Sequence, residues 1–175
     1  MKHTTTTIVA TFFLTIYPHA IAQASNKTEL TKLLENSLVC KAPPIDAREK
    51  STAEKLHKLG VTVSGANQEG PIDLKYQLPK NTHLFGYPAE AVIYTGDSGS
   101  IFYAVLSADP EKIARQFKLT PVPSNKKDYG YGMAKYFKQV KQSSKSNPYP
   151  NIVFSGKPSD KTMTGAVLGC EEFDY

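Results

Sequence analysis

The strongest constraint on this chain is its cysteine count: Cys40 and Cys170 are the only two among 175 residues. A bond between them would hold a segment near the start beside one near the end and close everything between into one loop. Whether they pair depends on the redox compartment, and the N-terminus bears on that. Lys2 and His3 make a short polar start, and an apolar run follows from Ile8 to Tyr17. Small residues then recur in A-x-A spacing, as Ala20-Ile21-Ala22 and Ala22-Gln23-Ala24. This is the layout of a cleaved secretory signal. The apolar run is too short to span the ~30 Å of a bilayer core as a helix. Residues 1–24 are therefore expected to be a cleaved signal, and residues 25–175 a single domain, periplasmic or secreted, with no stable membrane anchor after cleavage. In an oxidising compartment the solitary cysteine pair reads most simply as one disulfide.

Apolar spacing sets the expected elements. Leu30, Leu33, Leu34 and Leu38 fall on one helical stripe, with Thr28 as its cap. Pro43-Pro44 breaks the chain, and a second helix is expected from Asp46, with Glu49 in capping-box spacing and Gly60 as the stop. Short strands follow at Val61 to Ser64, Ile72 to Leu78, Leu84-Phe85, Ala91 to Tyr94 and Ile101 to Leu106. Asp109-Pro110 opens a third helix, buried through Ile113, Ala114 and Phe117. Further strands are expected at Gly132 to Val140, Asn151 to Phe154 and Met163 to Leu168, with a polar loop at Gln142 to Asn147. The expected fold class is α+β: an N-terminal helical hairpin packed on an antiparallel sheet, with one further helix after the central hairpin. That layout resembles small periplasmic inhibitor and outer-membrane assembly modules such as β-lactamase-inhibitor-like domains. The likeness is one of architecture and covers no motif, so it implies no function.

No catalytic set stands out. Gly96-Asp97-Ser98-Gly99 is similar to the G-D-S-G string around the nucleophile of chymotrypsin-like proteases. Too little chain precedes Ser98 to build that double barrel, so the string reads as a hairpin turn. His57 and His83 lack zinc-ligand spacing, two cysteines are too few for a four-cysteine site, and there is no P-loop or dinucleotide fingerprint. No metal or cofactor is expected. Glu171, Glu172 and Asp174 read as a solvated tail.

Charge is the uneven feature. Residues 112–145 hold nine Lys or Arg and one acid, Asp128, for a local +8. The rest of residues 25–175 carries 11 bases and 15 acids, or −4. Tyr129, Tyr131, Tyr136 and Phe137 lie in the basic stretch, with Tyr149 just beyond. Lysine with tyrosine suits attraction followed by flat, low-entropy contact. Lys126, Lys127, Tyr129, Tyr131, Lys135, Tyr136 and Lys138 are therefore the expected partner-binding residues. A solvated strand edge protected by charge is the plainer alternative. The stretch holds a single arginine and the chain is expected to be exported, so nucleic acid is not an expected partner. An acidic protein or an anionic envelope component is. The sequence thus favours an exported non-enzymatic binding protein, such as a periplasmic inhibitor or immunity protein. A small secreted hydrolase acting on an envelope polymer, or a structural envelope factor, is the alternative.

Overall fold

The computed structural model describes residues 18–65, 70–97, 99–140 and 149–173. The apolar run Ile8 to Tyr17, the loop Gln142 to Asn147, and Ser98, Lys141 and Asp174 lie outside the described residues. In chain order the elements are α1 (Pro18–Leu38), α2 (Lys50–Lys58), β1 (Thr62–Ser64), β2 (Ile72–Gln77), β3 (His83–Leu84), β4 (Tyr87–Gly96) and β5 (Gly99–Leu106). Then come α3 (Pro110–Phe117), β6 (Thr120–Pro121), β7 (Ala134–Val140), β8 (Asn151–Gly156) and β9 (Ala166–Phe173). Short 3-10 turns at Ser124–Lys126 and Tyr129–Gly132 precede β7. The strands form one nine-stranded sheet in the order β1-β2-β4-β5-β9-β8-β7-β6, with β3 on β4 beside that path. Every pairing is antiparallel. Two meanders, β1 to β5 and β6 to β9, are thus sewn together along β5 and β9.

This architecture corrects the expected fold class. Among the described residues the chain is mostly a nine-stranded antiparallel sheet carrying three α-helices, not the expected α+β domain with an N-terminal helical hairpin packed on the sheet. α1 lies on β3, β5 and β9, whereas α2 sits beside the edge strand β1. The local chemistry explains the difference. Asp46 does not cap α2; its carboxylate grips the Arg48 guanidinium at 2.6 to 3.0 Å and the Arg48 N–H at 2.9 Å, and α2 starts only at Lys50. That grip holds the Asp46 carboxyl below its ordinary pKa. α1 likewise begins at Pro18, well before Thr28. No described helix is long and apolar enough to cross a membrane.

Side-chain alternation divides the sheet into two faces. One face holds the larger core: Leu30, Leu34 and Leu38 of α1 and Ile113 of α3 pack on Leu74, Tyr76, Val92, Phe102, Ala104, Leu106, Val153 and Leu168. Tyr76 is fully buried there, and its hydroxyl donates to the Ile45 carbonyl and accepts from the Ala47 N–H at 3.3 Å. The other face holds a smaller cluster of Ile101, Met133, Ile152, Phe154 and Val167. Between β3 and β4, Phe85 and Gly86 both have positive φ (55° and 87°), the requirement of a tight two-residue hairpin. The Glu35 carboxylate of α1 accepts the Phe85 N–H, and the Phe85 ring meets that of Phe117 edge-on at 4.8 Å. α3 follows the expected pattern, with Asp109 accepting from the Glu111 N–H at 2.7 Å and Pro110 in the first turn.

The Cys40–Cys170 disulfide is present, with Cα atoms 5.3 Å apart across a sequence separation of 130. α1 ends in a Schellman motif: the Cys40 N–H reaches the Ser37 carbonyl at 3.1 Å and the Lys41 N–H reaches the Asn36 carbonyl at 2.8 Å. Cys40 occupies the left-handed position (φ 56°) that glycine usually fills. A non-glycine residue there costs about 1 kcal/mol, and the sulfur bond to β9 is what favours cysteine. A disulfide of this kind suits an oxidising, exported compartment.

Reduction is expected to lower stability by up to about 5 kcal/mol, the chain-entropy value for so long a loop. Urea unfolding with and without reductant measures this. A non-reduced tryptic digest should also contain one peptide pair linked through Cys40 and Cys170. Two freely alkylatable thiols, or identical urea midpoints, would contradict the staple.

Candidate functional site

The basic aromatic stretch is split by the sheet. Lys126, Lys127, Tyr129 and Tyr131 lie in the segment Pro123 to Met133, which crosses the smaller core as a strap. Tyr136 is turned to the opposite face, against the larger core beside α3. There, burial first and the nearby Glu111 carboxylate second push its phenol above the ordinary tyrosine range. Lys138 shares the Tyr136 face by alternation, and its Nζ donates to the Phe117 carbonyl at the end of α3, at 3.3 Å. That contact answers an orphan carbonyl at a helix C-terminus. Lys135 stands exposed at a bulge in β7, between the two groups. A single seven-residue face is therefore not formed. The strap brings together Lys126, Lys127, Tyr129 and Tyr131.

Glycine chemistry shapes the strap. Gly130, Tyr131 and Gly132 all have positive φ (61°, 51° and 80°). A Cβ at Gly130 would stand 2.7 Å from the Phe154 ring, so only glycine lets the backbone lie this close to the core. The Gly130 N–H can then donate to Glu171 Oε2 at 2.9 Å. Tyr131 is 54% exposed, yet its hydroxyl donates to the Gly99 carbonyl at 3.1 Å. Partial burial, then the Glu171 and Asp97 carboxylates, raise the Tyr131 phenol pKa. Tyr129 is half-buried with its ring tilted against Phe137 at 5.2 Å, and Lys126 Nζ stands 5.7 Å from the centre of the Tyr129 ring. The outcome is a fixed loop with Lys126, Lys127 and Tyr131 on its outer side.

Glu171 is the residue that the sequence reading missed. It belongs to β9, paired with Ile101 of β5 and Ile152 of β8, and only 4% of it is exposed. Its neighbours Glu172 and Phe173 are also in the strand, so the acidic pair is not a solvated tail. Burial raises the Glu171 carboxyl pKa, and the Gly130 N–H opposes that in part. The available signal was Tyr129-Gly130-Tyr131-Gly132, glycines alternating with tyrosines in an otherwise basic stretch.

The other residues singled out remain apart. Gly96 and Gly99 close the β4–β5 hairpin, with the Asp97 N–H donating to the Gly99 carbonyl at 3.0 Å, while Ser98 lies outside the described residues. His57 is exposed on α2, and the exposed His83 has Nδ1 3.0 Å from the Asn81 carbonyl. Among the described residues no His, Cys, Asp and Glu group is placed to hold a metal. Compared with family models, curated proteins and solved structures, the chain matches none.

Glu171 gives a signed pH dependence. A carboxyl with a folded pKa above its unfolded value contributes stability that is complete below the unfolded pKa and lost as pH rises through the folded one. Glu171→Gln keeps an acceptor for Gly130 without the charge. Its urea midpoint should exceed that of the wild type at pH 7, and the gap should close below about pH 4.5, near the unfolded pKa of glutamate. A gap that is constant from pH 4 to pH 8 would show that Glu171 ionisation does not act on the strap.

Proposed function

We propose that this chain is an exported, non-enzymatic binding protein, of the inhibitor or immunity kind, that engages an acidic protein through the strap. The observation that carries this reading is Tyr131: a large aromatic side chain, mostly exposed, held in a left-handed backbone position and tethered through its hydroxyl to the next hairpin. Strained positions persist where the surroundings over-determine them, and they gather at recognition sites. A fixed tyrosine loses little entropy on docking. Lys126 and Lys127 beside it add the attraction that speeds encounter with an anionic surface. Tyr136 and Lys138 drop out of the proposed interface, because both are occupied against α3.

Affinity capture from an envelope extract tests the reading with three baits: wild type, Tyr131→Ala and Lys126→Glu/Lys127→Glu. The expected partner is an acidic protein. Tyr131→Ala should weaken binding by about 2 kcal/mol, or roughly thirtyfold, chiefly through faster dissociation. The double Glu variant should slow association and reverse its salt dependence. A partner held equally by all three baits would place binding elsewhere.

A further inference from the structure

A groove of about 430 Å³ opens where α1, the end of α2 and the turn between β2 and β3 meet. Lys27, Lys58 and Lys80 line it, around Leu30, Leu59 and Pro79, and no carboxylate does. The three lysines come from three separate elements, so their convergence is a product of the fold. Each is exposed. Lys27 Nζ donates one bond to the Asn81 carbonyl at 2.7 Å, beside the groove, and keeps two further N–H groups. Lys58 is not needed to finish α2, because the Lys55, Leu56 and His57 carbonyls already accept from the Leu59, Gly60 and Val61 N–H groups. The ion pairs among the described residues are Arg48 with Asp46, Lys55 with Glu29, and Arg115 with Glu111, none of which draws on these lysines. The backbone around the groove turns sharply at Gly60 (φ 82°) and Asn81 (φ 61°).

Three exposed cations on one concavity, with no carboxylate in its lining, favour an anion there. Lysine offers compact point charges with freely turned donors, and in that form it binds phosphate oxygens. The charge count and donor type fit a tetrahedral dianion. The apolar patch beside them fits a small organic group. We propose that this groove is a binding site for a phosphomonoester, with the phosphate among Lys27, Lys58 and Lys80 and the ester group on the half-buried Leu59 and Pro79. The site shares no residue with the strap, so it stands whether or not the strap binds a protein.

Amide NMR of the disulfide-bonded protein, titrated at pH 7.5 and constant ionic strength, reads this directly. One arm uses phenyl phosphate, a second uses phosphatidylcholine vesicles with and without phosphatidic acid, and sodium sulfate is the control. Saturable shifts of Gly60, Lys80 and Thr82 with phenyl phosphate support the site and identify a soluble ester. Binding confined to the phosphatidic acid vesicles supports it with a lipid as the source. In either case Lys58→Gln/Lys80→Gln should weaken binding about tenfold. Its thermal unfolding should match the wild type, since both side chains are exposed; Lys80→Gln alone gives the same reading with a smaller loss. No response to either phosphate probe, an equal response to sulfate, or unweakened binding by the double variant overturns the proposal.

Discussion

The bond between Cys40 and Cys170 is the constraint on which the rest of this structure hangs. Cys170 sits in β9, between Phe102 of β5 and Val153 of β8, and its side chain faces the larger core. Cys40 closes the Schellman turn that ends α1. One covalent link therefore fixes where the helix stops, where it lies on the sheet and which way β9 faces. The last point matters most. In a strand a shift of one residue sends every side chain to the opposite face. With Cys170 turned toward α1, Glu171 must turn away, into the smaller core and under the strap.

The two-faced sheet also decides what the basic stretch can do. Its +8 charge is continuous in sequence but not in space, because β7 sends alternate residues to opposite sides. Lys138 is drawn into supporting α3, while Lys126 and Lys127 stay exposed on the strap. A buried acid beneath a basic loop is then a natural arrangement. Glu171 holds the strap by its backbone, and the Gly130 N–H it accepts offsets part of the cost of burying a carboxylate there.

Much of the local structure was legible in the sequence because its causes are local. The leucine spacing of α1, the Asp109-Pro110 entry to α3 and the hairpin glycines Gly96 and Gly99 each act within a few residues. What was not legible depends on distant pairing. Glu171-Glu172 looks like a polar end until it is seen that β5 and β8 flank it. Asp46 has the spacing of a helix cap, yet the neighbouring Arg48 outcompetes the helix for its carboxylate. Likewise, the Lys and Tyr count showed a patch, but only the β7 register shows which members share a side. The groove formed by Lys27, Lys58 and Lys80 has no sequence signature at all, since its three elements meet only in the fold.

The strand order carries a consequence for how the chain reaches this state. β9 is the last described strand, yet it lies near the middle of the sheet, between β5 and β8. Until it arrives, β5 presents Ile101 to Leu106, a run without charge, along an unpaired edge. Such an edge is a template for intermolecular pairing. The first meander therefore cannot finish as the chain emerges; its completion waits for the far end. That long-range closure predisposes the molecule to slow folding and leaves the edge of β5 open to pairing with other chains until β9 docks.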